Sequence, residues 1–155
     1  MPTKLAGVVL LEPVVHGDER GFMVESFRTD AWAELGVDVE FVQHNHSRSA
    51  KGTLRGIHFQ TEPGQAKLVR CPRGSILDVA VDLRRGCLTY GEWEAHVLDD
   101  VKHRQLFIPV GFGHGFAVLS DLADVGVEWQ VDDPLLSERD KSAPRLSAVA
   151  ETLPF

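Results

Sequence analysis

Short apolar runs alternate with turn-forming residues along most of the chain. Runs rich in Val, Ile, Leu and Phe recur at regular spacing, and clusters of Gly, Pro, Asp and Asn separate them. The pattern predicts strands near residues 5–11, 22–27, 39–46, 53–59, 65–71, 75–83, 92–98, 104–108, 113–119 and 125–131. Many short strands with few helices between them are typical of a β-sandwich or a β-barrel, so we expect an all-β fold.

Two segments are predicted to form short helices. Thr29 is a candidate N-cap for a turn of helix that ends at Gly36. Ser142 can open a second helix, which would extend over residues 142–150. The chain contains no internal repeat and no linker, and its length of 155 residues suits one core, so residues 1–155 are predicted to form a single domain.

Strict alternation along a strand assigns its side chains to two faces. In the predicted strand 53–59 it separates two sets of residues, Leu54, Gly56 and His58 on one face and Arg55, Ile57 and Phe59 on the other. Residues 76–81, within the predicted strand 75–83, alternate too weakly for such an assignment. A strand of this kind is usually covered on both faces, and we expect the same here.

The composition narrows the class of protein. Hydrophobic residues make up 43% of the chain, which is enough for a sizeable core, and charged residues make up 25%. The formal net charge of -7 argues against a generally basic nucleic-acid-binding protein but leaves room for a local basic pocket that takes a phosphorylated ligand. The early apolar run at residues 5–11 is too short to span a bilayer and lacks a signal-peptide cleavage site. Because Cys71 and Cys87 form no C-x-x-C pair, we expect a cytoplasmic protein with reduced thiols and no membrane partner.

Three polar clusters occupy positions where a β-barrel would otherwise carry apolar residues. They are residues 43–46, residues 54–60 together with 65–67, and residues 109–116. An Arg, a His and a Lys interleaved with Leu, Ile and Phe on neighbouring strands indicate a lined cavity rather than a solvated face. The alternative stays open that each histidine is an ordinary residue of the core or the surface.

Histidines on a β-barrel also raise the possibility of a metal site. His44 and His46 form an H-x-H pair, and residues 109–114 match the second half of a cupin signature, which ends here in His114. A mononuclear site needs three or four converging ligands, usually including a carboxylate, and no Glu follows His46 at the required spacing. The other candidate, His58-Phe59-Gln60, carries Gln where a second His is needed. The sequence therefore predicts a cupin fold without a metal, and a metal-dependent cupin enzyme is the weaker alternative.

A series of longer motifs follows one another along the chain in a distinctive order. They are Asp18-Glu19-Arg20-Gly21-Phe22, Gln43-x-Asn45-x-Ser47, Lys51-Gly52-Thr53-Leu54-Arg55-Gly56-Ile57-His58-Phe59-Gln60, Gln65-Ala66-Lys67-Leu68-Val69-Arg70, Asp78-Val79-Ala80-Val81-Asp82-Leu83-Arg84, Arg104-Gln105-Leu106-x-Ile108-Pro109, Gly111-Phe112-Gly113-His114-Gly115-Phe116 and Ser137-Glu138-Arg139-Asp140. This order closely resembles the dTDP-4-dehydrorhamnose 3,5-epimerases and related dTDP-deoxysugar epimerases. The resemblance covers residues 5–125 and resumes from about residue 126 to the end.

The resemblance implies a metal-free cupin-type jelly roll with a few short helices, which forms a homodimer and needs no cofactor. It implies an isomerase that epimerises C3, C5 or both in a dTDP-4-keto-6-deoxyhexose. His58 matches the family's base, Asp140 the carboxylate that orients it, and Lys67 the cation beside the enolate oxygen. The implied substrate-binding residues are Arg20, Phe22, Glu25, Gln43, Asn45, Arg55, His114 and Arg139. The segment that contains the first three is expected to reach the pocket of the neighbouring subunit.

One departure from the family bears on catalysis. After the Gly-x-x-His-Gly-Phe motif, the family continues into a strand with a Tyr that returns the proton, but here residues 120–125 pass directly into residues 126–131. A family segment is therefore predicted to be missing near Val125 and Gly126. Tyr90, the only tyrosine, lies in a different turn. Two hypotheses follow: an epimerase with an impaired proton donor, or a sugar-nucleotide-binding homologue without catalytic activity.

Overall fold

The structure, a computed structural model, describes residue 1, residues 3–120, residues 137–142 and residue 148. The predicted strand 125–131 lies outside these residues, as does the predicted helix 142–150 apart from Ser142 and Ala148. The strands are β1 (Val9–Leu11), β2 (Val15–Asp18), β3 (Gly21–Val24), β4 (Leu54–His58), β5 (Lys67–Arg70), β6 (Ser75–Asp82), β7 (Trp93–Asp99), β8 (Gln105–Ile108) and β9 (Phe112–Ser120). The helices are α1 (Thr29–Glu34) and α2 (Glu138–Lys141). The described residues thus confirm an all-β fold with short helices.

Two antiparallel sheets pack face to face around the main core. A three-stranded sheet has the order β1-β8-β5, and a four-stranded sheet has the order β4-β9-β6-β7. Leu106 and Ile108 from the first sheet share one buried cluster with Ala80, Leu98 and Phe112 from the second. These side chains bury their apolar surface between the sheets, and this burial is the main force that holds a sandwich together.

Strand β6 lies at the centre of the four-stranded sheet and is covered on both faces. Ala80 points between the sheets, whereas Leu77 and Val79 belong to a separate cluster on the opposite face. On the inner face, Asp78 lies opposite His96 of β7 and Phe116 of β9. The expectation of a doubly covered strand is confirmed, and the inner face carries a charged residue within it.

The predicted strand 39–46 is wrong. Residues 37–50 have no regular secondary structure, although Phe41 packs edge-on against Phe27 and Phe107. Val42 is 86% exposed. Alternating side chains are not sufficient for a strand, because a strand also needs a neighbour to accept and donate its backbone hydrogen bonds. Within the described ranges, no strand pairs with this segment.

Helix α1 begins where the sequence predicted, but Thr29 is not its N-cap. Thr29 is already the first helical residue, and the N-cap position is held by Arg28, whose side chain does not cap the helix. The Oδ1 atom of Asp30 accepts a hydrogen bond from the amide of Ala31 at 3.0 Å. The helix is held by Trp32, which is 3% exposed and packs with Phe107 of β8 on the outer face of the three-stranded sheet.

Candidate active site

An irregularity in β4 decides which of its side chains face the interior. Arg55 pairs with Phe116 and His58 pairs with His114, so three steps along β4 match two steps along β9. The extra residue is a β-bulge, and it reverses the alternation between its two sides. Arg55 and His58 therefore share the inner face, whereas strict alternation had predicted opposite faces. That prediction was wrong because sequence periodicity does not reveal a bulge.

Glycines make this bulge possible. Gly56 has a φ of 130°, and a Cβ atom on it would lie 2.5 Å from the Cα atom of Gly115. A Cβ atom on Gly115 would in turn lie 2.8 Å from the carbonyl oxygen of Arg55. Both contacts involve backbone atoms, which have little freedom to move. Paired glycines thus hold β4 and β9 at the separation that aligns His58 with His114.

A wide cavity opens between the two sheets. It is lined by β5, by the first residues of β6, by His114, Phe116 and Val118 of β9, and by the irregular segment 41–51. Its cationic lining residues are Arg48, Lys51, Lys67, Arg70 and Arg73, and in the part of the chain that the structure describes no Asp or Glu lines it. Although the chain has a net charge of -7, positive charge is concentrated in this cavity. This local charge favours the binding of an anionic ligand.

Lys67 crosses from one sheet to the other inside this cavity. Its backbone belongs to β5, and its Nζ atom donates a hydrogen bond of 3.2 Å to the carbonyl oxygen of His58 on β4. Burial lowers the pKa of Lys67 below its ordinary value of 10.5, and the nearby charge of Asp78 opposes that shift. A cation shielded from water in this way can stabilise negative charge that develops on a bound molecule.

His114 forms the most deeply buried polar contact of the site. Its Nε2 atom lies 2.9 Å from Oδ2 of Asp78, a residue with no exposed surface. The sequence predicted His114 as a substrate-binding residue but assigned no role to Asp78. A signal was present, since Asp78 lies in the middle of a nearly continuous apolar strand, where a carboxylate needs a specific reason to be buried.

The remaining residues predicted near the sugar fall into two groups. Gln43 and Asn45 line the cavity and are linked by a hydrogen bond of 3.1 Å between their side chains. Arg55 is exposed, and its Nε atom donates to Oγ of Ser49, which also lines the cavity, at 3.0 Å. These side chains lie at or beside the opening, where they can contact a bound molecule.

Four other predicted residues, Arg20, Phe22, Glu25 and Arg139, do not line the cavity of this chain. Arg20 forms hydrogen bonds to Asp18 within the hairpin of β2 and β3, and Glu25 pairs with Arg28 at 3.0 Å. Phe22 is 60% exposed, with its ring centroid 4.6 Å from that of His103. Arg139 is exposed on α2, which lies near β4, and the side chain of Asp140 lies outside the described residues.

Comparison with known proteins identifies the family. The family model for dTDP-4-dehydrorhamnose 3,5-epimerase matches residues 2–126. The chain belongs to this epimerase family. It is 45% identical to the dTDP-4-dehydrorhamnose 3,5-epimerase of Shigella flexneri over 163 aligned residues, which cover 89% of this chain and 90% of the relative. It is 38% identical to a dTDP-4-dehydrorhamnose 3-epimerase of Streptomyces niveus, covering 92% of this chain and 81% of the relative.

A solved structure extends this similarity to the fold of the epimerase family. The dTDP-6-deoxy-D-glucose-3,5-epimerase of Legionella pneumophila, crystallised with dTDP-4-keto-L-rhamnose, superposes with a TM-score of 0.90 and 38% identity. The superposition covers 98% of this chain and 95% of the other. The predicted cupin-type jelly roll and the predicted family are thereby confirmed.

Several charged residues of this epimerase cavity were missed by sequence reasoning. Arg48, Arg70 and Arg73 lie outside the polar clusters that drew attention, yet all three line the cavity. Arg70 and Arg73 lie at the end of β5, on either side of Pro72. In the sequence, this region has the pattern of an ordinary solvent-exposed turn. Among the described residues, no group of three or more His, Cys, Asp or Glu side chains is arranged to hold a metal ion. None of the described helices is long and apolar enough to cross a membrane.

Proposed function

We propose that this chain removes a proton next to the C4 ketone of a dTDP-4-keto-6-deoxyhexose, in an epimerisation at C3, C5 or both. The observation that carries the proposal is the shielded ammonium of Lys67, which donates a hydrogen bond to the backbone carbonyl of His58 and lies in a cavity where the Arg and Lys side chains meet no acidic lining residue of the described chain. A hydrogen α to a ketone is weakly acidic, so its removal needs both a base and a group that stabilises the enolate. His58 fits the first role and Lys67 fits the second.

The charge of the cavity fits the nucleotide part of the substrate. A nucleoside diphosphate carries negative charge that Arg and Lys side chains bind through charge-assisted hydrogen bonds. Arg55 lies beside the opening, and Arg70 and Arg73 line the cavity at the end of β5. Gln43 and Asn45 offer amide groups to sugar hydroxyls. This distribution supports a ligand with an anionic end and a neutral polar end.

The outward-facing hairpin supports a homodimer as part of the same proposal. Strands β2 and β3 expose Phe22 and Met23, which are 60% and 68% exposed, together with Arg20. In a dimer this hairpin, followed by Glu25, would cover the cavity of the partner subunit. An Arg20→Ala chain mixed with a Lys67→Gln chain should then recover about a quarter of the parent activity, because random pairing gives half mixed dimers with one intact site in two. No recovery would show that each chain builds its own site.

In the proposed reaction, the step that returns a proton to the sugar is the impaired one. The family's tyrosine has no counterpart in the sequence, and the family match ends at residue 126, where the segment is predicted to be missing. The alignment with the Shigella relative spans 163 positions, more than the 155 residues of this chain, so this chain carries gaps in it. We therefore propose that the proton leaves faster than it returns to the opposite face of the sugar.

Nuclear magnetic resonance in D₂O tests this proposal with dTDP-4-keto-6-deoxyglucose as substrate. Deuterium entering at C3 or C5 measures proton removal, and the appearance of the inverted sugar measures epimerisation on the same sample. We expect exchange to outpace inversion. Inversion that keeps pace with exchange would show that another acid, or a water molecule, replaces the tyrosine. Binding of dTDP without exchange would instead support the second hypothesis, a non-catalytic sugar-nucleotide-binding protein of the cytoplasm.

The metal-dependent alternative has its own test. We expect the purified protein to contain no stoichiometric metal and to keep its activity and melting temperature in EDTA, because His44 and His46 have no third ligand in sequence. One equivalent of tightly bound zinc, iron or nickel, with exchange activity lost on chelation, would establish that alternative.

A further inference from the structure

The carboxylate of Asp78 is buried in the site, yet no step of the proposed reaction uses it. It has no exposed surface, and its Oδ2 atom contacts Nε2 of His114 at 2.9 Å. Its Oδ1 atom is also buried and has no hydrogen-bond partner within the described ranges. A buried carboxylate oxygen without a partner costs stability, typically about 1–3 kcal/mol or more. Such a group is poorly explained by packing, since a leucine would fill a strand position at less cost.

The first consequence of this carboxylate concerns His114. An ionised carboxylate can only accept hydrogen bonds, so the proton of the neutral imidazole must lie on Nε2. The other ring nitrogen, Nδ1, then carries the lone pair. Since His114 lines the cavity, its free lone pair suits a hydroxyl donor on the sugar rather than a phosphate oxygen, which has no hydrogen to donate.

The second consequence concerns Lys67, which faces β6 from the opposite sheet. The negative charge of Asp78 attracts its ammonium group and opposes the effect of burial on its pKa. The strands around them carry other titratable or charged groups, which are Arg55 and His58 on β4, Arg70 on β5, Asp82 on β6, Glu94, His96 and Asp99 on β7, and His114 on β9. Glu94 already accepts the backbone amide of Lys4 at 2.7 Å and lies 3.6 Å from Nε2 of His96. Among the described side chains, Asp78 is therefore the carboxylate best placed to balance the charge of Lys67.

We propose that Asp78 is a positioning residue of the epimerase site, which fixes the tautomer of His114 through the buried contact of 2.9 Å and supplies the negative charge that faces Lys67 across the cavity. This role rests on the proposed function. It assigns a purpose to the Asp78-containing motif of β6, which the rest of the site leaves unexplained. Asp78 itself touches neither the enolate nor the transferred proton.

The charge balance can be tested without substrate. Protein labelled with [¹³Cε]lysine gives the pKa of Lys67 by NMR titration, with its resonance assigned by its absence from Lys67→Gln. Asp78→Asn should lower this pKa by about one unit or more, the shift typical of losing an opposite charge nearby. Asp82→Asn is the matched control, because Asp82 is equally buried on β6 but binds Arg84 and Thr89. An unchanged Lys67 pKa in Asp78→Asn would overturn the proposal.

The tautomer can be tested in the unmodified protein, so the result does not depend on whether a variant folds. Long-range ¹H–¹⁵N spectra distinguish a protonated Nε2 from a protonated Nδ1. We expect the proton of His114 on Nε2. A neutral ring protonated on Nδ1, with a bare Nε2 facing Asp78, would contradict the assignment.

A pH profile connects Asp78 to the reaction. If Lys67 acts as a cation, kcat for deuterium exchange falls as the pH rises through its pKa. Asp78→Asn lowers that pKa, so the alkaline limb should move to lower pH while KM changes little, and Asp78→Glu should move it back. If the alkaline limb of Asp78→Asn lies at the same pH as that of the parent protein, the proposal is wrong. If the parent protein shows no exchange at all, the proposed function fails, whereas the NMR titration still decides the role of Asp78.

Discussion

The cavity between the two sheets and the hairpin of β2 and β3 differ in the burial of their charged side chains and in the range of their contacts. Between the sheets, Asp78 is fully buried and Lys67 reaches across two sheets to His58. Every residue of β2 is exposed, and Arg20 finds its partner two positions away in the same turn. Both regions carry motifs of one epimerase family. This difference supports the proposal that the proton chemistry takes place inside one subunit and that the hairpin packs against a second subunit.

Among substitutions other than that of the proposed base, removal of the Lys67 ammonium group should have the largest effect. Lys67→Gln should slow deuterium exchange by about 10²–10³-fold, the typical cost of losing a group that stabilises a developing oxyanion. Binding of dTDP should weaken much less, because other cations line the cavity. Lys102→Gln, at an exposed lysine away from the cavity, is the control. Equal rates in Lys67→Gln and Lys102→Gln would remove Lys67 from the mechanism.

Arg55 lies beside the opening of the cavity, and its substitution tests whether this region binds the diphosphate. It shares the inner face with His58 but is exposed, so we expect it to act on the diphosphate. Arg55→Ala should weaken dTDP binding by roughly 10-fold to 150-fold, since charge-assisted hydrogen bonds contribute about 1.5–3 kcal/mol. Thymidine binding should change little in the same calorimetric titration. Similar losses for dTDP and thymidine, or an equal effect of Arg85→Ala at another exposed arginine, would exclude this role.

The glycine contact between β4 and β9 should have the smallest effect, and mainly on stability. Gly115→Ala places a methyl group 2.8 Å from a backbone oxygen and should cost about 1–3 kcal/mol, measured by thermal or urea unfolding. Gly17→Ala in the hairpin is the matched control, because its nearest neighbour would be 3.7 Å away. If both variants lose the same free energy of unfolding, the contact between β4 and β9 is no more tightly packed than the hairpin.

These two regions also show how far sequence reasoning reaches. The apolar spacing predicted most strands of the sandwich, because their side chains bury one face against the other sheet. It failed at residues 39–46, where alternation is present but no strand of the described chain pairs with the segment. It also failed at the bulge, since one inserted residue turns His58 to the face of Arg55 without any change in composition.

The site was predicted through the family resemblance more than through its chemistry. His58, Lys67 and His114 stood out because they interrupt apolar strands. Lys67 and His114 line the cavity from opposite sheets, and the backbone carbonyl of His58 accepts the hydrogen bond of Lys67. Asp78 escaped notice although it interrupts a nearly continuous apolar strand, because its partner comes from the neighbouring strand and not from its own segment. Contacts across a sheet depend on register, which the sequence of one strand does not contain.

Deuterium exchange in a His58 variant decides whether His58 removes the proton. His58→Gln should be compared with the parent protein on dTDP-4-keto-6-deoxyglucose in D₂O, with dTDP binding measured in parallel to establish that the variant is folded. We expect dTDP binding to survive while exchange at C3 and C5 slows by about 10²–10⁴-fold, the typical contribution of a general base. Exchange at the parent rate in a folded variant that binds dTDP would show that another group is the base.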